Sequence, residues 1–220
     1  MAAVEPISSA SVILLRDAPL EVLMILRHER RSFVPNAWAF PGGGLEEGDR
    51  HFGAGVLLNT MRITAARELF EEAGVWLGAP LLDAESKRES LQQGKIAFRE
   101  LFTESPIDLE RLVWTSRWIT PAGVPKRFDT YFFLACTGRN TAVTVQESEA
   151  TDITWIAPAE AIERHLRGEF PLVFPTLKNL EAISGFATAS ALLASRKEIE
   201  IPTSRPRIIV ENGERKIVLP

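Results

Sequence analysis

The sequence predicts an α/β protein, an α/β/α sandwich built on a mixed sheet. Two apolar, β-branched runs near the N-terminus are separated by turn residues, further strand-like runs follow in the middle, and helical patterns lie between and after them. With 220 residues, 45% hydrophobic and 25% charged, the chain has ordinary globular proportions and suits one large domain or one domain with an extension.

Ser11 to Arg16 and Glu21 to Arg27 flank Asp17-Ala18-Pro19-Leu20, turn chemistry that predicts a hairpin. Trp38-Ala39-Phe40 then leads into Pro41-Gly42-Gly43-Gly44, where glycines permit a tight turn and a close backbone approach. No Gly-Lys-Ser/Thr follows, which excludes a phosphate P-loop. Residues 50–62 read as an inserted turn or short helix, either a lid or padding, and Ile63 to Ala73 as a helix. Glu85 to Phe102 is a further helical pattern, weakened by Gly94.

Leu112 to Ile119, Thr130 to Thr137 and Ile153 to Ile156 are expected to be strands. Ala159 to Arg167, Thr176 to Ala182 and Ala187 to Lys197 are expected to be helices. Asn212-Gly213 between Arg207–Val210 and Arg215–Leu219 predicts a closing hairpin. The expected division is a core over residues 1–157 and a mainly helical C-terminal extension over 158–220. The extension covers the site, stabilises a homodimer or completes the core.

The chemistry concentrates in Arg67-Glu68-Leu69-Phe70-Glu71-Glu72-Ala73-Gly74-Val75, downstream of the Gly-rich run. At about 100° per residue, Glu68, Glu71 and Glu72 share one arc of the helix, while Ile63, Ala66, Phe70 and Ala73 lie opposite. Like charges at this spacing repel by roughly 0.2–0.5 kcal/mol per pair, and a hard divalent cation held by their oxygens would offset that. A solvated acidic face is the alternative.

These residues resemble the nudix box, in which a glycine, an upstream acid and the Arg-Glu-aliphatic-x-Glu-Glu-x-Gly-aliphatic run build a loop and helix that bind magnesium and a substrate diphosphate. Arg67 through Val75 match every specified position of the second half. Taking Gly43 as the box glycine puts Asp49 where the family has Glu and leaves residues 50–66 where a shorter spacer is usual. The rival start at Gly53 puts Asn59 at the acidic position. The runs Phe33 to Gly43, Trp118-Ile119-Thr120-Pro121, Arg127 to Phe133 and Phe174-Pro175-Thr176-Leu177 extend the resemblance to the coenzyme A diphosphatase subgroup.

The resemblance implies a nudix α/β/α sandwich and Mg2+ or Mn2+ as cofactor, with Glu68, Glu71, Glu72 and the Gly42 carbonyl as metal ligands. Glu68, Glu71 and Arg67 would carry the catalysis, Arg67 by holding the carboxylates. Glu147, Glu149 or Asp49 would supply an additional carboxylate. Arg27, Arg30, Arg31 and Arg127 are the candidate substrate-binding cations, since guanidinium offers paired donors to phosphate. His28 reads as a surface residue. The implied reaction is hydrolysis of coenzyme A or acyl-coenzyme A to adenosine 3′,5′-bisphosphate and a phosphopantetheine. ADP-ribose, a dinucleotide or a nucleotide sugar stays open as substrate, as does a non-catalytic nucleotide-sensing module.

A net charge of −4 argues against a nucleic-acid or anionic-membrane surface, and no apolar run is long enough to cross a bilayer. The single Cys136 cannot form an internal disulfide and suits a reducing compartment. The expectation is a cytoplasmic enzyme with a small nucleotide substrate.

Overall fold

The structure, a computed structural model, describes residues 4–28, 36–146, 150–197, 199–211 and 213–219. Strands β1 (Ile7–Arg16) and β2 (Glu21–Arg27) form the expected hairpin, with β1 beginning earlier than the sequence suggests. Strands β3 (Trp38–Ala39), β4 (Gly42–Gly44), β5 (Val113–Ile119), β6 (Phe128–Cys136), β7 (Ala150–Ile156) and β8 (Thr203–Ser204) complete the sheet. Its order is β3-β2-β1-β6-β5-β8, with β4 paired to β1 and β7 to β2. The β1–β6 and β5–β8 pairs are parallel and the others antiparallel, so the sheet is mixed.

β1 is buried on both faces, as a central strand covered by helices must be. Val12 and Leu14 point one way and Ile13 and Leu15 the other, and all four are fully buried. Helix α1 (Leu57–Ala73) covers the first face, placing Met61, Ile63, Leu69 and Phe70 against Val12, Leu14 and Leu23. Helices α4 (Pro158–Leu166), α5 (Phe174–Ile183) and α6 (Ala189–Ala194) belong to the second layer. There Phe170, Leu180, Ile183 and Leu192 join Ile13, Leu15, Phe132 and Leu134 in one cluster. Trp38 stacks on Phe170 with ring centroids 4.5 Å apart and its backbone N–H donates to the Pro171 carbonyl, tying this layer to the sheet edge.

Four local readings change. The Gly-rich run forms a strand rather than a turn, because β1 offers it a partner, with Ser11 opposite Gly42 and Ser9 opposite Gly44. The residues read as an insertion divide: Glu47–His51 is a short 3-10 turn, and residues 57–62 lengthen α1 at its N-terminus. The helix expected over Glu85 to Phe102 breaks into α2 (Ala84–Gln92) and α3 (Phe98–Glu104), since Gly94 takes φ +66°. The parallel β8 had no periodic signal. Strands β9 (Arg207–Glu211) and β10 (Glu214–Val218) form the closing hairpin as a separate two-stranded sheet. Among the described residues no helix is long and apolar enough to cross a membrane.

Candidate active site

Helix α1 is buried around most of its circumference, and this includes residues expected on a charged outer face. Arg67, Glu68 and Glu72 are 2%, 8% and 5% exposed. A solvated acidic stripe is therefore excluded for Glu68 and Glu72, and buried charges on this scale require partners.

Arg67 is the hub. Its Nε donates to Asp49 Oδ1 at 2.9 Å, and its Nη2 donates to Asp49 Oδ2 at 3.1 Å and to the Gly44 carbonyl at 2.8 Å. Nη1 lies 2.9 Å from both Glu68 Oε1 and Glu71 Oε2. This fan uses the fixed geometry of guanidinium, which a flexible ammonium could not reproduce. Burial opposes the charge on Arg67, but Glu68, Asp49 and Glu71 together hold its pKa above the ordinary value. Burial also pushes the Glu71 carboxyl up to about 7, against the pull of Arg67 and with help from Glu46.

Asp49 sits in the 3-10 turn and is 2% exposed. Besides Arg67 it accepts from Thr64 Oγ1 at 2.9 Å and from the Glu46 N–H at 3.0 Å. Both its oxygens thus serve the Arg67 anchor. Asn59, acidic in the rival alignment, accepts instead from Arg62 Nη1 at 3.1 Å.

The remaining carboxylates reach across to β4. Glu72 Oε2 accepts from the Gly42 N–H at 2.6 Å. A Cβ built on Gly43 would meet the Glu68 carboxylate at 2.5 Å, so this glycine leaves the space that the carboxylate uses. By contrast, a Cβ on Gly53 would strike Thr60 Oγ1. The alignment through Gly43 is the one that brings a glycine against a box carboxylate.

The C-terminal end of α1 is clamped by residues the sequence reading missed. Arg88 of α2 donates through Nε and Nη2 to the Glu71 carbonyl at 2.9 and 2.8 Å, and through Nη2 to the Thr144 carbonyl at 2.9 Å. Gln92 Nε2 donates to the same Glu71 carbonyl at 2.8 Å. The Thr144 and Gln146 N–H groups donate to the Ala73 and Glu72 carbonyls, each at 3.1 Å. Gly74 caps the helix at φ +71°. Orphan carbonyls at a helix end need such donors, but no sequence period announces them.

On its other side the Gly42–Gly43 segment borders a cavity of about 360 Å3 between the sheet and the start of α5. Phe40, Trp118, Thr120, Phe128, Phe132 and Phe174 are among its lining residues, so four runs far apart in sequence converge there. Trp118 Nε1 is buried without a hydrogen-bond acceptor among the described residues.

Of the expected substrate cations, Arg27 lines this cavity. Arg127 is not among its lining residues; it donates to the carbonyls of Thr120 at 3.0 Å and Val4 at 2.8 Å. Arg30, Arg31, Glu147 and Glu149 lie outside the described residues.

Among the described residues no three carboxylate, imidazole or thiol groups already converge as a metal cage. Arg67 stands between Glu68 and Glu71, and Glu72 is engaged at Gly42. The donor set nevertheless fits a hard divalent cation. Every candidate ligand is an oxygen, and the space a Cβ on Gly43 would fill is where the Glu68 carboxylate lies.

A mixed sheet, a buried Arg-Glu-Glu-Glu helix on one face and helices on the other define the nudix fold. The crystal structure of a nudix hydrolase from Alicyclobacillus acidocaldarius shares it, with a TM-score of 0.79 at 24% identity over 86% of this chain and 96% of that one. The family described as the NUDT19 Nudix domain matches residues 57–183, more than half of the chain, and the chain belongs to that family.

Relatives include a Caenorhabditis elegans protein named provisionally as nudix hydrolase 7, 32% identical over 80% of this chain. The acyl-coenzyme A diphosphatases NUDT19 of Xenopus laevis and Homo sapiens are 26% and 28% identical over 78% and 80% of it. The chain spans 60%, 62% and 64% of the lengths of these three relatives.

Proposed function

We propose that the chain is a divalent-metal-dependent diphosphatase acting on coenzyme A or an acyl derivative, releasing adenosine 3′,5′-bisphosphate and the corresponding phosphopantetheine. The observation that carries this reading is the double role of Gly42 and Gly43. One side meets the Glu72 and Glu68 carboxylates, and the other borders a cavity large enough for part of an organic substrate. Membership of the NUDT19 Nudix domain family and the printed activity of the vertebrate relatives support the substrate class.

Glu68 and Glu72 are the proposed principal ligands of Mg2+ or Mn2+, with the Gly42 carbonyl and Glu71 beside them. Once bound, such an ion neutralises the negative diphosphate oxygens and acidifies water. Arg67, fixed by Asp49, holds Glu68 and Glu71 in position. Glu71, which Arg67 holds at 2.9 Å, is the group proposed to orient the attacking water and take its proton. In the reaction, water oxygen bonds to one phosphorus as the anhydride P–O bond breaks, and the leaving phosphate takes the electron pair.

Incubation of the purified chain with magnesium and a panel of coenzyme A, ADP-ribose, NADH and nucleotide sugars tests this. Selective release of adenosine 3′,5′-bisphosphate is expected. Cleavage of another member alone would move the substrate, and ligand binding without turnover would favour a sensing module.

A further inference from the structure

The cavity beside Gly42 and Gly43 has walls of unequal chemistry. Phe40, Phe132 and Phe174 give it broad apolar surfaces, while Arg27 is the one basic residue among the described residues lining it. Its hydroxyls are largely committed within the protein. Ser9 Oγ and Thr130 Oγ1 are 2.7 Å apart, Ser11 Oγ donates to the Pro41 carbonyl at 2.8 Å, and Thr120 Oγ1 accepts from the Phe128 N–H at 3.0 Å. The cavity therefore suits a ligand segment that is mostly apolar.

We infer that this cavity receives the pantetheine arm of the substrate, with adenosine lying outside it; this deepens the proposed function and rests on it. An adenine ring has amine and ring-nitrogen groups that lose hydrogen bonds to water on entering apolar walls, and few free protein partners meet them here. A ribose 3′-phosphate needs several cations, and among the described residues the cavity lining supplies Arg27. The arm instead begins beside the phosphate with a branched dimethyl carbon, which suits walls of Phe40, Phe132 and Phe174.

The test compares kcat/KM for coenzyme A, its form lacking the 3′-phosphate, acetyl- and octanoyl-coenzyme A, and ADP-ribose, with the unaltered chain and with Val173→Trp, which narrows the cavity wall. Removing the 3′-phosphate is expected to change kcat/KM by less than about threefold, and replacing the arm by ribose to lower it roughly 100-fold. Val173→Trp should raise KM for every arm-bearing substrate. ADP-ribose equal to coenzyme A, or a large loss on removing the 3′-phosphate, would each overturn the inference while leaving diphosphate hydrolysis in place. No cleavage of any coenzyme A compound would overturn both the inference and the function beneath it.

Discussion

Arg67 and Asp49 meet through two near-parallel hydrogen bonds, Nε to Oδ1 at 2.9 Å and Nη2 to Oδ2 at 3.1 Å, both side chains almost wholly buried. This pair joins the 3-10 turn to α1 and frees Nη1 for Glu68 and Glu71. Removing one partner of a buried pair strands the other charge, so Asp49→Asn is expected to destabilise the chain by about 3 kcal/mol. Urea unfolding measures it. An unchanged midpoint would mean that Asp49 does not anchor Arg67.

Glu72→Gln keeps an oxygen that can accept from Gly42 but removes the charge. The fold should persist by circular dichroism, while magnesium-dependent turnover disappears. Magnesium at about 100 times its dissociation constant stabilises a binding protein by roughly 2.7 kcal/mol, and the variant should lose most of that shift in Tm. Full activity in the variant would remove Glu72 from the metal site.

The two glycines of β4 should fail differently. A Cβ on Gly42 meets the Ala10 carbonyl at 2.5 Å and Ser11 Cα at 2.7 Å, both backbone, so Gly42→Ala must part β4 from β1 and cost about 1–3 kcal/mol. The three atoms nearest a Cβ on Gly43 are those of the Glu68 carboxylate, a side chain rather than backbone. Gly43→Ala should fold normally yet lose about 100-fold in kcat, the scale of an ångström of misplacement in an active site. Thermal melts and steady-state kinetics on the two variants separate the cases.

At Gly74, φ +71° and the nearness of a built Cβ to Thr144 Oγ1, 2.8 Å, act together. Gly74→Ala is expected to cost about 1–2 kcal/mol from the left-handed backbone, with more from displacing the clamp around Arg88. Hydrogen exchange should show loosened protection over the last turn of α1. Unchanged protection would separate the clamp from the helix end.

Cys136 closes β6 half-buried, and its thiol is pushed from its ordinary value of 9.0 up to about 11 by burial, with Asp17 adding and Arg111 opposing. A raised folded-state pKa means that the native state binds more protons than the unfolded one between those values, so stability falls as pH rises from about 9 toward about 11. Alkylation near pH 7.5 should be slow in the native chain and fast in denaturant. Rapid native alkylation would show the thiol to be more open than its place in the sheet implies.

Most strands and helices were legible because their signals are local. The β1–β2 hairpin, the aromatic β6 and the helix carrying Arg67 to Ala73 each show their period or turn chemistry within a short window. The Gly-rich run was legible as a site but not as a strand, since only its pairing with Ser9 to Ser11 on β1 makes it one. The pairing of Arg67 with Glu71 follows from helical spacing. Its bonds to Asp49 and Gly44 do not, because the 3-10 turn brings them in from outside the helix.

By itself the sequence determined the α/β class, the family signature from Arg67 to Val75, and the oxygen-rich character of the candidate metal site, because each is written in residue type and short-range spacing. Tertiary structure alone decided that Glu68 and Glu72 are buried against β4, that Arg127 bonds backbone carbonyls, and that Phe40, Trp118 and Phe174 wall one cavity. Those relationships join positions up to more than a hundred residues apart, and only the sheet's crossovers bring them within van der Waals and hydrogen-bond range.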